Sequence, residues 1–74
     1  MKVTVKLFAY FRDNRFIKEE KEYPEGTTVS NVVKEQNIDP EEIGVLMINS
    51  RHTKLETPLQ ENDILAIFPV VGGG

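Results

Sequence analysis

The residues of this chain best suited to chemistry are its last seven, Phe68-Pro69-Val70-Val71-Gly72-Gly73-Gly74, and the group they offer is a carboxylate. Three glycines follow an apolar segment. Glycine has no Cβ and the widest backbone freedom of any residue. A loop that closed on a ligand would place one or two glycines at defined turn positions and then continue. Here the sequence reads instead as a thin thread that enters a narrow tunnel and presents the Gly74 carboxylate to a partner. Five residues from Val70 span at most roughly 17 Å when extended, enough to reach from a domain surface into a pocket. The plainer reading is a loose terminus or an expression scar. The organisation expected is one domain over residues 1–69 and a flexible Gly-rich tail over 70–74.

The remaining side chains offer little chemistry of their own. The chain has no cysteine, which excludes disulfides, thiolate metal sites and a cysteine nucleophile. His52 is the only histidine, so neither a His cluster nor a Ser-His-Asp constellation can be assembled. Phosphate-loop, dinucleotide and EF-hand motifs are missing. The expectation is a protein that is acted upon, not an enzyme, with no metal and no bound cofactor.

Seventy-four residues make one domain with a small core. A hydrophobic content of 39% and a charged content of 28% suit a folded globule. No apolar run approaches the roughly 18 residues of a membrane span, and the alternating start, Met1 to Lys6, is not a secretory leader. These features point to the cytoplasm. The net charge of −3 is uneven. Residues 1–34 hold seven Lys/Arg and five Asp/Glu, and residues 35–74 hold two and seven. An acidic C-terminal half argues against nucleic acid and anionic membranes. It suits a basic groove on a protein partner, or simply a solvated surface.

The elements that must carry the tail can be read from periodicity. Lys2–Leu7 alternates with period two and reads as a strand, Val3, Val5 and Leu7 inward. Phe11 tucks under the sheet end. A turn at Arg12–Arg15 leads to a charged edge strand over Phe16–Tyr23. Thr27–Asn37 reads as the helix, with Thr28 as N-cap, Val29, Val32 and Val33 as its apolar stripe and Asn37 as a left-handed terminator. Ile38 returns to the core. Gly44–Asn49 is a third strand, Asn49-Ser50-Arg51 a tight turn, His52–Leu55 a return strand, Leu59 a lone apolar anchor, Glu61–Asp63 another turn, and Ile64–Phe68 the last strand. The order predicts one sheet crossed by one helix. Its first and last strands should be central, adjacent and parallel, with a right-handed crossover.

A sheet covered on one face should alternate cleanly, and the third and fifth strands do not. If Leu46 and Ile48 point inward, Val45 and Met47 face out. If Leu65 and Ile67 point inward, Ala66 and Phe68 face out, and Phe8 joins them. Phe8, Met47 and Phe68 then form an apolar patch near the tail root, of the kind that marks a protein partner, with methionine suiting more than one partner. Pro69 and Val70 extend the partner-binding set. The alternatives are reversed parity or a cover formed by the Glu56–Asp63 loop.

Several of these segments carry a family likeness. Val3 to Ala9 resembles the opening of the molybdopterin-synthase small subunit. Pro24-Glu25-Gly26-Thr27-Thr28-Val29, Met47-Ile48-Asn49, Thr57 to Asp63 and Ile67 to Gly74 resemble signposts of the MoaD/ThiS family of ubiquitin-like sulfur carriers. The likeness covers nearly the whole chain. It departs in ending on three glycines where two are usual, and in Asn62 where glycine is usual, a swap that left-handed geometry permits. The short first hairpin is closer to the thiamin branch and Phe68-Pro69 to the molybdopterin branch.

The resemblance implies an α+β, ubiquitin-like β-grasp fold, a mixed sheet of about five strands with one main helix across it. It also implies an E1-like partner that admits the tail and adenylates the Gly74 carboxylate with ATP and magnesium. A sulfur donor then leaves a thiocarboxylate, which the carrier delivers to an acceptor synthase in molybdopterin-type or thiamin-type cofactor biosynthesis. Gly72 and Gly73 keep the thread narrow. One alternative is a ubiquitin-like modifier joined through Gly74 to lysines. The other is a β-grasp adaptor with an inert tail.

Overall fold

Residues 1–70 are described by the structure, a computed structural model. They form five strands, β1 (Lys2–Leu7), β2 (Lys18–Glu22), β3 (Ile43–Ile48), β4 (Arg51–His52) and β5 (Ile64–Pro69), and one helix, α1 (Val29–Glu35). The sheet order is β2-β1-β5-β3-β4. β1 and β5 are parallel neighbours, Val5 opposite Leu65 and Leu7 opposite Ile67, while the other pairings are antiparallel. The first and last strands are therefore adjacent, parallel and interior, as their valine and isoleucine content requires.

Val3, Val5 and Leu7 of β1, Leu46 of β3 and Leu65 and Ile67 of β5 meet Val29, Val32 and Val33 of α1 in one core, closed by Phe11, Ile38 and Leu59. The helix is short and rich in valine, a weak helix former, so its ends are heavily supported. Thr28 Oγ1 accepts from the Asn31 amide, and the Asn31 side chain accepts from the Thr28 amide, a reciprocal capping box. The next free donors, the amides of Val29 and Ser30, bond the carbonyls of Thr57 and Leu55. The 55–59 loop thus sits at the helix N-terminus and is anchored by Leu59, whose amide donates to the Thr27 carbonyl. Asn37 ends the helix region at φ 57°, and Arg15 spans to it, Nε donating to the Gln36 carbonyl at 2.9 Å.

Three expectations are corrected. The edge strand begins at Lys18, because Phe16 turns onto the core while Ile17 is exposed. The return strand is only Arg51–His52, since Lys54 to Leu59 is committed to the helix end. Two 3-10 turns, Ala9–Arg12 and Pro40–Glu42, form in segments for which the sequence predicts no helical structure; Asp39 caps the second and Pro40 pre-sets its φ.

Candidate functional site

The outer face of the sheet has the parity that its two-faced strands require. Leu46, Leu65 and Ile67 are buried on the helix side, and Val45, Met47, Ala66 and Phe68 lie on the other face, half-buried. The 55–59 loop packs at the helix end and leaves that face uncovered. Pairing sets the layout: Val45 opposes Phe68, Met47 opposes Ala66, and His52 opposes Met47 from the short edge strand.

Phe8 follows β1 and meets Phe68 in a face-to-face stack, ring centroids 4.0 Å apart and planes 14° from parallel. The two rings shield one another, so the patch is half-buried instead of fully open. Such a pair adds about 0.5–1.5 kcal/mol beyond area burial. Arg12, on the 3-10 turn after Phe8, closes the stack. Its guanidinium carbon lies 5.2 Å from the Phe8 ring centroid, and Nε donates to the Leu7 carbonyl at 2.7 Å.

Arg12 lies over the Phe8 ring, and Lys6 stands opposite Ala66 on the neighbouring strand. The acidic side chains Asp39, Glu41 and Glu42 stand on the turn beside the tail root.

Pro69 is buried, and Val70 is 56% exposed while its amide donates to the Glu42 carbonyl at 2.8 Å. Tyr10 reaches the same turn, its hydroxyl donating to Glu42 Oε1 at 3.0 Å. Phe8, Phe68, Pro69 and Val70 are therefore brought together around the point where the chain leaves the sheet, with Met47 two positions along β3 from Val45. Gly72, Gly73 and Gly74, with most of the 70–74 tail, lie outside the described residues.

Arg12, Tyr10 and Glu42 were not singled out from sequence. The positive φ of Ala9 (53°), which turns the chain after Phe8, has no sequence signature. Among the described residues no cluster of metal-ligating side chains occurs and no helix is long and apolar enough to cross a membrane. An open hollow of about 560 Å³ lies at the far end of β3 and β5, where Asn49 and Asp63 bond one another at 3.0 Å. It contains nothing resembling a reaction centre.

The sequence model of the ThiS family matches residues 5–74. This chain belongs to the ThiS family. Its fold is the ubiquitin-like β-grasp shared by solved structures of related proteins. A Pyrococcus furiosus protein assigned as subunit 1 of molybdopterin converting factor is 28% identical, with a TM-score of 0.79 over 96% of this chain and 99% of that one. Small archaeal modifier protein 1 of Haloferax volcanii is 17% identical, with a TM-score of 0.76 over 95% and 98%. A third structure, from Helicobacter pylori, is of a complex of molybdopterin-converting factor subunits 1 and 2; its matching chain is 19% identical, with a TM-score of 0.66 over the full length of both. The last two likenesses, below 25% identity, carry the fold alone. No curated protein matches the chain by sequence. In this ThiS family member Asn62 has φ 69°, the left-handed geometry inferred for it where glycine is usual.

Proposed function

We propose that this chain is a sulfur carrier whose reactive group is the Gly74 carboxylate. An E1-like enzyme grips the Phe8–Phe68 face and admits the tail. A carboxylate oxygen attacks the α-phosphorus of magnesium-bound ATP, and pyrophosphate leaves. The acyl adenylate has lost the negative charge that protects a carboxylate from nucleophiles, and AMP is a good leaving group. Hydrosulfide released by a sulfur donor displaces AMP, the C–S bond forming as the acyl C–O bond to AMP breaks, and the resulting thiocarboxylate is carried to an acceptor synthase, in the cytoplasm. The chain catalyses none of these steps, since ATP and magnesium belong to the partner.

The observation that carries this reading is the position of the stacked pair: the outward aromatic of β5 lies two residues before Val70, in a chain with no cysteine to hold sulfur elsewhere. ThiS family membership and the pairing of subunits 1 and 2 in the Helicobacter pylori complex support a synthase as acceptor. The test is ATP–pyrophosphate exchange with an E1-like adenylating enzyme, followed by the intact mass of the product. Replacement of one oxygen by sulfur at the C-terminus supports the carrier, and a chain that is never adenylated refutes it. The likeness to small archaeal modifier protein 1 favours a second reading, attachment through Gly74 to lysines. Tail-to-lysine conjugates isolated from native cells would establish it.

A further inference from the structure

The antiparallel pairing of β3 with β5 slips at its outer end: Ile43 opposes Pro69 and Val45 opposes Phe68, so Gly44 is an extra residue in β3. This is a β-bulge, which bends its own strand and changes the heading of the residues paired beside it. Gly44 is exposed, yet it has no room for a side chain. A Cβ there would lie 2.8 Å from the Pro69 carbonyl oxygen, 2.9 Å from the Val70 Cα and 3.0 Å from the Pro69 carbonyl carbon. All three are backbone atoms and cannot swing aside as a side chain would. The missing Cβ lets the last residues of β5 lie against β3, and there the Val70 amide reaches the Glu42 carbonyl at 2.8 Å. That carbonyl is itself held. It ends a 3-10 turn capped by Asp39, and the Glu42 carboxylate accepts from Tyr10 at 3.0 Å.

We infer that Gly44 and the Glu42 carbonyl are positioning groups that fix the direction in which the tail leaves the domain, an inference that rests on the carrier reading for its catalytic consequence. Clamped at Val70, the four residues beyond it reach at most about 14 Å. The thread's starting point and heading are then set by β3, not by the thread. An enzyme that docks on Phe8 and Phe68 meets the tail already aimed.

The test is Gly44→Ala in the full chain. The new methyl group must push Pro69 and Val70 back by about half an ångström to reach ordinary contact, which stretches the 2.8 Å Val70–Glu42 bond toward the limit of a hydrogen bond, weakens it and turns the root. Residue-resolved amide exchange should show Val70 losing protection while Val5 and Leu65 in the core keep theirs. With an E1-like enzyme, kcat for adenylation should fall roughly tenfold to a hundredfold, the scale of a reacting group misplaced by an ångström. KM should change far less than kcat, because Phe8, Met47 and Phe68 keep their places on the docking face. A general loss of structure would instead lower protection throughout. If Gly44→Ala does not fold, Val70→Pro removes the amide donor while leaving Gly44 in place and should give the same fall in kcat.

Unchanged protection at Val70 in Gly44→Ala overturns the clamp. Lost protection with wild-type kcat overturns the positioning role. A wild-type chain that is never adenylated sinks the carrier reading and the positioning role with it, while exchange at Val70 still decides the clamp.

Discussion

Leu46 and Met47 are neighbours on β3 and point to opposite faces of the sheet, so paired substitutions there separate folding from docking. Leu46 is 9% exposed within the core cluster, and truncating such a leucine to alanine costs about 2–5 kcal/mol. A 74-residue domain has about 4–11 kcal/mol in all. A loss near 3 kcal/mol would lower Tm by about 12–24 °C, at 4–8 °C per kcal/mol for a domain of this size. Met47 is half-buried on the outer face, opposite Ala66 and His52. Met47→Glu keeps its charge in water and should cost less than about 1 kcal/mol in the free protein. Docking would bury that carboxylate against an apolar partner surface. Affinity for an E1-like enzyme should therefore drop at least about tenfold, or 1.4 kcal/mol. Thermal melts and titration calorimetry on Leu46→Ala, Met47→Glu and wild type form the assay. A Met47→Glu protein that melts as low as Leu46→Ala would show that the side chain belongs to the core. One that melts normally and binds as wild type would remove Met47 from the docking face.

Deleting Gly73 and Gly74 should leave Tm within the scatter of a neutral surface change, about 0.5 kcal/mol, and abolish adenylation. Continued pyrophosphate exchange by the truncated chain would dismiss the tail's role. Thr28→Ala removes the acceptor for the Asn31 amide and half of the capping box; it should cost about 1 kcal/mol in a urea melt and leave adenylation unchanged. Burial, then the hydrogen bond from Tyr23 to the Glu35 carboxylate at 2.7 Å, raises the Tyr23 pKa. The unfolded chain therefore loses its phenolic proton first. The contribution is complete below about pH 10 and declines as pH rises further. Tyr23→Phe should flatten that alkaline decline in stability measured by denaturant titration and lose about 0.5–1.5 kcal/mol at neutral pH.

How much of this molecule is legible in its sequence depends on how local each cause is. β1 is legible to the residue because its alternation is strict and its inner face wholly apolar. Thr28, Asn37 and Asn62 are legible because capping and left-handed turns are chosen by side-chain chemistry a few residues away. The outward set Val45, Met47, Ala66 and Phe68 is legible as an excess, apolar residues where a one-sided sheet needs none. The shortened β4 is not legible, because Lys54–Leu59 is drawn away by amides on a helix some 25 residues earlier in the chain. The bulge at Gly44 is hidden for a similar reason. The glycine heads an apolar run like any strand glycine, and only the approach of Pro69 and Val70, about 25 residues on, shows what its missing side chain makes room for.

The core and the Phe8–Phe68 patch lie on opposite faces of one sheet, and β5 belongs to both. Leu65 and Ile67 fix the strand in the core, Phe68 faces outward into the stack, and Val70 begins the exit. Two residues separate the handle from the root of the thread, at most about 7 Å. Under the proposed carrier role, a partner that held Phe68 would also hold Val70 at a known place, so docking would raise the effective concentration of the terminal group without moving any part of the domain. The stack adds to this. Phe8 and Phe68 meet in the free protein, so the face is formed before a partner arrives and little side-chain ordering remains to be done on binding. Under the proposed carrier role a core of modest size suffices, because the domain has only to hold β5 firmly between β1 and β3 up to Val70.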